Sequence, residues 1–282
     1  MESRRTSFDV PIEINPRHPK NKNLLTKNQK LCYTDIMNEI FSRNVMYWGE
    51  NTQKELNNKH VAVFGLGGVG GYAADALVRA GVGEITLVDF DTVGTSNINR
   101  QLVALNSTVG QKKTELFEQR LKDINPDVKI NVYNGFYDET VNDKLFVDKP
   151  DCVIDAIDTM RAKVSLLVYC KQNNIPVVSS VGAGNRVDPT QLRVADISQC
   201  GKSNCSFVKN LLYNLKKKNI TEGIIAVFSD EKPKKPITKE LGLIETGEAV
   251  IKKYSPSSTP FVPPVAGYFL AFSVFQTIIK KC

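Results

Sequence analysis

The feature that most constrains the fold is a glycine-rich turn, G-L-G-G-V-G-G at residues 65–71, which lies between two apolar segments. Residues 60–64 have the composition of a β-strand, and residues 69–80 have the apolar spacing of a helix. Glycines between a strand and a helix let backbone N–H groups approach a phosphate at the positive end of the helix dipole. The turn therefore predicts a nucleotide site that includes Gly65, Gly67, Gly68 and Gly70.

Strand and helix patterns continue to alternate as far as residue 185. Further strands are predicted at 84–88, 128–133, 152–156 and 175–179, and helices at 111–124 and 161–172. Alternation of this kind places helices on both faces of a parallel sheet. The sequence therefore predicts an α/β fold with a Rossmann-like, doubly wound and mostly parallel sheet.

The other segments divide the chain into three parts. Residues 1–28 lack apolar periodicity and are predicted to be a mobile basic tail. Residues 29–185, which start with a helical pattern at 30–43, are predicted to form N-terminal helices and the Rossmann-like domain. Residues 186–282 are predicted to be a smaller C-terminal extension packed on that domain. It has strands at 191–197 and 224–228, helices at 207–218 and 263–281, and a loop-rich basic stretch at 232–253.

Charge is distributed unevenly along the chain. Residues 201–282 contain 13 lysines, no arginine and 6 acidic residues, a net charge of +7 that equals the net charge of all 282 residues. The first 200 residues are therefore neutral. A basic excess confined to one part is typical of proteins that bind a polyanion, but a solvated lysine-rich surface explains the composition equally well.

The cysteine content and the apolar segments argue against several classes of protein. Six cysteines occur without any C-x-x-C spacing, which disfavours a structural zinc site. The first residues are polar and charged, unlike a secretory signal. Prolines and polar residues interrupt the apolar stretch 261–279, which favours a buried helix over a membrane anchor. We expect a reduced, cytoplasmic protein.

Two carboxylates follow the second predicted strand. Asp89 and Asp91 stand in V-D-F-D at residues 88–91. A carboxylate at this place in a Rossmann-like fold accepts hydrogen bonds from a ribose diol. Because NAD and ATP both carry that ribose, the two aspartates leave an oxidoreductase and an ATP-using enzyme open.

Polar and cationic residues further along the chain favour ATP. The loop N-I-N-R-Q at 97–101 contains Asn97, Arg100 and Gln101, and Lys113 lies at the start of the next predicted helix. The two cations would neutralise charge on a triphosphate and on a transition state at its α-phosphorus. Asp158, which ends D-A-I-D at 155–158, is a candidate ligand of Mg²⁺ or the N-cap of the helix at 161–172.

Taken in order, these motifs resemble the ThiF/MoeB-type adenylyltransferases, the prokaryotic relatives of ubiquitin-activating enzymes. The shared run covers about residues 43–184, and it also includes V-G-Q-K-K-T and I-N-P. The resemblance implies that Asp89 holds the ATP ribose and that Asp158 serves the metal and the α-phosphate. It further implies that the phosphates are surrounded by Asn97, Arg100, Gln101 and Lys113.

The resemblance also implies a homodimer. In this family, an arginine ahead of the sheet reaches into the partner subunit's ATP site, and Arg43 matches it. The alternative role for Arg43 is that of a cation at a helix C-terminus.

A second group of residues is similar to one branch of that superfamily, the tRNA threonylcarbamoyladenosine dehydratases. These residues are V-G-A-G-N-R-V-D-P-T at 181–190, V-A-D-I at 194–197 and V-F-S-D-E-K-P at 227–233. The similarity implies ATP- and Mg²⁺-dependent cyclisation of threonylcarbamoyladenosine next to the tRNA anticodon, through a carboxyl adenylate. Some eukaryotic members of this branch associate with mitochondria, so a mitochondrial association of this chain stays open. Candidate contacts with tRNA phosphates are Lys216, Lys217, Lys218, Lys234 and Lys235.

Three other functions remain as alternatives. An activating enzyme for a ubiquitin-like or sulfur-carrier protein would adenylate a C-terminal glycine and often pass it to a cysteine, such as Cys200 or Cys205. A non-catalytic RNA-binding protein on a decayed scaffold is disfavoured by the intact site motifs. An NAD-dependent oxidoreductase is disfavoured by Arg100 and Lys113.

Overall fold

The computed structural model describes residues 39–202, 205–235, 237, 241–243, 249–251 and 256–279. Apart from Glu39, they belong to one compact unit, Ile40–Cys282. The predicted tail at 1–28 and the first part of the predicted helix at 30–43 lie outside the described residues.

Short strands and helices alternate along this unit. The strands are β1 (His60–Phe64), β2 (Glu84–Asp89), β3 (Lys129–Asn134), β4 (Cys152–Asp155), β5 (Val177–Ser180), β6 (Leu192–Asp196), β7 (Ile225–Ser229), β8 (Leu241–Leu243) and β9 (Ala249–Ile251). The α-helices are α1 (Ser42–Leu56), α2 (Gly70–Ala80), α3 (Lys113–Ile124), α4 (Asn142–Leu145), α5 (Met160–Gln172), α6 (Ser206–Lys216) and α7 (Val262–Ile278).

Strands β1 to β7 form one sheet in the order β3-β2-β1-β4-β5-β7-β6. Neighbouring strands are parallel except β6 and β7, which are antiparallel. The predicted fold class, a mostly parallel α/β sheet, is confirmed. The loop-rich prediction for 232–253 was incomplete, because β8 and β9 pair as a two-stranded sheet within that range.

Side chains of the sheet alternate between two cores. Along β1, Val61 and Val63 enter one hydrophobic cluster, whereas Ala62 and Phe64 enter the other. Helices α2, α3 and α7 contribute to the first cluster, and α5 and α6 contribute to the second. The helices therefore cover both faces of the central strands β1, β4 and β5, so these strands can be apolar on both sides.

The predicted helix at 30–43 is described only from Glu39 onward. Glu39 and Ile40 are helical, Phe41 adopts a turn, and helix α1 begins at Ser42 and continues to Leu56. A kink at Gly49, with φ of 82°, divides it. Arg43 therefore lies in the first turn of α1, three residues after the helical Ile40, and its alternative role as a C-terminal helix cation stays a prediction.

The C-terminal helix α7 packs closely on α2. A Cβ atom at Gly267 would lie 2.8 Å from Cβ of Tyr72, so glycine permits the close approach of the two helices. Pro263, in the first turn of α7, reaches the glycine-rich turn at Gly68. No helix among the described residues is long and apolar enough to span a membrane.

Candidate nucleotide-binding site

A cavity of about 1070 Å³ opens at the carboxyl edge of the parallel strands. It is lined by the glycine-rich turn after β1, the ends of β2 and β4, the loop after β5 and the start of α6. Ligands of doubly wound sheets bind at this edge, where successive crossover connections diverge. The cavity is therefore the candidate functional site.

The glycine-rich turn has the geometry of a phosphate-binding loop. Gly65 has φ of 89°, and a Cβ atom there would lie 2.7 Å from the Ala156 carbonyl oxygen. Gly65, Gly67 and Gly68 line the cavity, as predicted. Gly70 instead packs against the Gly65 carbonyl group at the start of α2, where a side chain would collide with the backbone. Its contribution is to close the turn.

The Asp89 carboxylate fastens the end of β2 to the glycine-rich turn. Its Oδ2 accepts a hydrogen bond from the Leu66 N–H at 2.6 Å, and its Oδ1 accepts one from the Asp91 N–H at 2.8 Å. Burial raises the pKa of Asp89, while Lys113 and the two backbone amides act in the opposite direction. Asp89 also lines the cavity, and its carboxylate oxygens have lone pairs left for a ribose hydroxyl.

Lys113 is brought to the same edge by the first turn of α3. Its side chain is 4% exposed, and Nζ lies 2.9 Å from Oδ2 of the half-exposed Asp91. Both residues line the cavity. The predicted cation is thus buried beside the site and held in place by one of the predicted carboxylates.

The loop after β2 supplies the other predicted phosphate ligands, Asn97, Arg100 and Gln101, and all three line the cavity. The Asn97 side chain accepts a hydrogen bond from the Gly94 N–H at 3.1 Å, which fixes the loop. Gln101 is buried, and its Oε1 has no hydrogen-bond partner. A buried amide oxygen without a partner is costly, so a donor from a ligand or water would stabilise it.

Asp158 lies at the carboxyl end of β4, exposed and on the cavity wall. The N-cap residue of α5 is Thr159, which has no capping hydrogen bond from its side chain. The alternative role of Asp158 as the N-cap is therefore wrong. No cluster of three or more metal-binding side chains occurs among the described residues, and a Mg²⁺ ion here would rely on Asp158 and ligand phosphates.

Sequence reasoning missed a buried ion pair beside the site. Lys163 of α5 and Asp155 of β4 have side chains that are 1% and 0% exposed, and their charged atoms lie 2.6 Å apart. Ser179 Oγ of β5 also donates to Asp155 at 2.6 Å. A lysine within the apolar pattern of α5, eight residues after an aspartate that ends a strand, is the signal that could have found this pair.

Two further residues were missed on the loop after β5. Arg186 is buried and lines the cavity, and Glu231, which is also buried, holds the following backbone in place. Glu231 accepts hydrogen bonds from the N–H groups of Val187 and Asp188 at 3.0 and 2.9 Å. These two residues are 45 positions apart, so local patterns gave no indication of their contact.

The predicted tRNA-binding lysines are all exposed, but they lie in two places. The Lys234 N–H donates to the Asn185 carbonyl oxygen, so Lys234 and Lys235 lie near the cavity. Lys216 ends α6, and Lys217 and Lys218 follow it directly. Because residues of α6 as far along as Asn210 line the cavity, this second group begins about 9 Å beyond the cavity along the helix axis.

The two cysteines considered for thioester formation are both buried. Burial raises the pKa of Cys200 to about 12, so its thiolate is scarce at neutral pH. Cys205 lines the cavity but is only 6% exposed. Neither environment favours attack on an adenylated carrier protein.

Comparison with known proteins gives consistent matches over most of the chain. Residues 41–280 match the ThiF family. The tRNA threonylcarbamoyladenosine dehydratase of Bacillus subtilis is 42% identical over 245 residues, which are 85% of this chain and 94% of that protein. The tRNA threonylcarbamoyladenosine dehydratase 2 of Saccharomyces cerevisiae is 35% identical over 76% of this chain and 49% of its own length.

Solved structures agree with these matches. The Escherichia coli tRNA N6-threonylcarbamoyladenosine dehydratase TcdA, in complex with ATP, superposes with a TM-score of 0.74 at 30% identity. The alignment covers 86% of this chain and 95% of that one. The AMP complex of the same protein gives a TM-score of 0.76. The predicted resemblance to this branch is confirmed.

Proposed function

Because the chain belongs to the ThiF family, we propose that it is an ATP-dependent enzyme that dehydrates threonylcarbamoyladenosine in tRNA to its cyclic hydantoin form. The observation that carries the proposal is the convergence of a glycine-rich turn, Lys113, Arg100 and Asp158 on one large cavity. The glycine turn fits the phosphates of a nucleoside triphosphate. Near full-length similarity to named dehydratases supplies the substrate class.

The chemistry requires an activated carboxyl group, because a carboxylate cannot expel oxide. The threonyl carboxylate attacks the α-phosphorus of ATP, a bond to the α-phosphate forms, and pyrophosphate leaves. The urea nitrogen attached to the adenine ring then attacks the acyl carbon, AMP leaves, and the nitrogen loses its proton. Because this nitrogen belongs to the same side chain, ring closure is intramolecular and needs no enzyme nucleophile.

The residues of this chain have defined tasks in that reaction. Backbone N–H groups of the glycine-rich turn hold phosphate oxygens, and Asp89 accepts hydrogen bonds from the ribose. Arg100 and Lys113 neutralise charge that develops on the phosphates during attack. Asp158 would hold Mg²⁺, which would supply positive charge to offset the charge of the phosphates.

A single reaction mixture tests the proposed function. The purified protein is incubated with ATP, Mg²⁺ and tRNA that carries threonylcarbamoyladenosine, and the released nucleosides are weighed by mass spectrometry. We expect the modified adenosine to lose one water molecule while an equal amount of AMP forms. AMP without that mass change, or AMP only when a small carrier protein is added, would favour the activating-enzyme alternative.

A homodimer with Arg43 acting across the interface accords with an apolar surface on α1 and α7. Met46 and Tyr47 of α1 are 75% and 90% exposed, and Tyr268 and Phe272 of α7 are about half exposed. The two helices meet where Trp48 packs on Phe275, with ring centroids 5.0 Å apart. Exposed aromatic and aliphatic groups on adjacent helices are typical of a protein interface.

Mixing two inactive variants tests the role of Arg43. In a mixed dimer of one Arg43→Ala subunit and one Lys113→Met subunit, one site keeps Lys113 and receives an intact Arg43 from the partner. Equal mixing with free exchange should therefore restore about a quarter of wild-type activity. If Arg43 acts within its own subunit, both sites of the mixed dimer are defective and activity stays at the level of the separate variants.

The exposed lysines are proposed to contact tRNA phosphates. Replacing Lys216, Lys217 and Lys218 with glutamate should weaken tRNA binding and reduce the dependence of log Kd on log salt by about 2 to 3. ATP affinity should not change, because these residues lie outside the cavity. Filter binding of tRNA at several salt concentrations measures the tRNA affinity and its dependence on salt.

A matched control reverses three exposed lysines elsewhere, Lys54, Lys144 and Lys149. The control variant and the Lys216, Lys217, Lys218 variant have the same net charge, so comparing their tRNA affinities removes the effect of long-range repulsion. Equal tRNA affinity of the two triple variants would contradict a specific contact at the end of α6. A parallel Lys234→Glu, Lys235→Glu variant tests the group beside the cavity.

A further inference from the structure

Arg186 is a buried cation that no described acid neutralises. Its side chain is 3% exposed. Nε donates to the Glu231 carbonyl oxygen at 3.1 Å, and Nη1 donates to the carbonyl oxygens of Gly182 and Gly184. Nη2 has no hydrogen-bond partner. Among the described residues, no carboxylate oxygen forms an ion pair with the guanidinium group within 4.0 Å.

The two acids beside Arg186 serve other purposes. The Asp188 carboxylate accepts hydrogen bonds from Thr190 and Gln191. The Glu231 carboxylate accepts hydrogen bonds from the N–H groups of Val187 and Asp188, so it fixes the backbone beside Arg186. Arg186 is thus surrounded by carbonyl oxygens, with two N–H groups on Nη2 left over. Buried charges are normally paired, so this arrangement indicates an anionic group supplied by a ligand.

The loop that carries Arg186 lines the same cavity as the glycine-rich turn but does not overlap that turn. Arg186 follows β5, and the turn follows β1; β4 separates the two strands in the sheet. Two strand spacings correspond to about 10 Å. Asp158, at the end of β4, lies between them, and all three elements line one cavity. An anion bound by Arg186 would therefore be a second group, distinct from the phosphates held by the turn.

The loop is held rigidly by the segment that precedes α7. Asn185 has φ of 62°, its N–H donates to the Ser257 carbonyl oxygen, and its Oδ1 accepts from the Ser257 N–H at 2.7 Å. Thr259 Oγ1 donates to the Arg186 carbonyl oxygen at 3.2 Å. These bonds fix the backbone that carries the guanidinium group before a ligand arrives, which lowers the entropic cost of binding.

We propose that Arg186 binds the carboxylate of the threonylcarbamoyl side chain and presents it to the α-phosphate. This inference rests on the proposed function. A guanidinium group matches the planar geometry of a carboxylate better than an ammonium group does. A separate cation is needed because the carboxylate must approach a triphosphate of the same charge. Arg100 and Lys113 serve the phosphates, and Arg186 serves the attacking group.

The test compares two ligands that differ only in this charge. An anticodon stem–loop RNA carries either threonylcarbamoyladenosine or its methyl ester, and binding is measured with AMP present so that no adenylation occurs. Wild-type protein should bind the carboxylate about ten- to a hundredfold more tightly than the ester. In Arg186→Gln this ratio should fall close to one, while the affinities for the ester and for AMP are retained. Arg186→Lys should keep part of the ratio.

Two outcomes would overturn this role. If Arg186→Gln weakens both RNAs equally, Arg186 either holds the loop or contacts an RNA phosphate. Glu231→Gln serves as the matched control, because it disturbs the loop but keeps the Arg186 cation. It should change the affinities for the two RNAs by the same factor. An unchanged ratio in a folded Arg186→Gln protein, confirmed by its melting temperature, would also refute the inference. If wild-type protein never cyclises the modified tRNA, the proposed function itself fails.

Discussion

Replacing Lys113 with methionine is expected to slow tRNA-dependent AMP formation by about 10²- to 10³-fold. Lys113 lies at the first residue of α3, 4% exposed, with Nζ 2.9 Å from Asp91. Methionine keeps an unbranched apolar stem but removes the charge. Negative charge that develops at the phosphates would then lack a fixed counter-charge in a site partly shielded from water.

The neighbouring lysine provides the control for that prediction. Lys112 is half exposed and pairs with the exposed Glu115 at 3.0 Å, so Lys112→Met should change the rate by less than about threefold. Asp91→Asn should have an intermediate effect, because it releases Lys113 without removing the cation. Rates are measured as AMP formed per enzyme at saturating ATP. A Lys113→Met rate comparable with that of Lys112→Met would exclude the proposed role.

Lys163→Met is expected to lower the free energy of unfolding by about 3 to 5 kcal/mol, the largest loss of stability among these variants. Nζ of Lys163 lies 2.6 Å from Asp155, 3.3 Å from Ser179 Oγ and 3.0 Å from the Ser180 carbonyl oxygen. These bonds connect α5 with β4 and β5 inside the core. Removal of the cation leaves the Asp155 carboxylate buried and without its counter-charge.

Urea unfolding measures the loss, and two variants control for it. Lys171→Met changes a lysine at the other end of α5 whose Nζ donates to an exposed carbonyl oxygen, Gly223 O, and it should cost no more than about 1 kcal/mol. The double variant Lys163→Met, Asp155→Asn should recover part of the stability, because the unpaired charge is gone. Equal stability of the two single lysine variants would show that the buried pair contributes little.

The sequence by itself predicted the central elements because their patterns are local. β1 has the bounds predicted for it, and β2, β4 and α5 agree to within one residue. Short apolar runs indicate strands that are buried on both faces. Apolar residues that recur every 3.6 positions indicate helices that are buried on one face. The glycine-rich turn was equally readable, because its backbone geometry at Gly65 requires glycine and its neighbours fix its place between strand and helix.

Local patterns failed where an element is short or interrupted. β8 and β9 have three residues each, too few for a periodic signal, and they fall within a stretch that composition predicts to be loop. The turn at Phe41 interrupts the helix predicted at 30–43, and the helix that follows, with its kink at Gly49, was not predicted beyond residue 43. Asp158 has the residue type of a helix N-cap, but the helix begins one residue too late for that role.

Tertiary structure alone decided which distant side chains share the site. Arg186 meets Glu231 across 45 positions, and α7 places Pro263 beside Gly68 across nearly 200. Such contacts depend on strand order and register, which determine where the loops after β5 and β7 come together. Residue type reveals a possible charge or hydrogen bond, but burial and the presence of a partner decide its energy. For that reason the nucleotide motifs were readable from the sequence, whereas the unpaired cation of Arg186 emerged only from the fold.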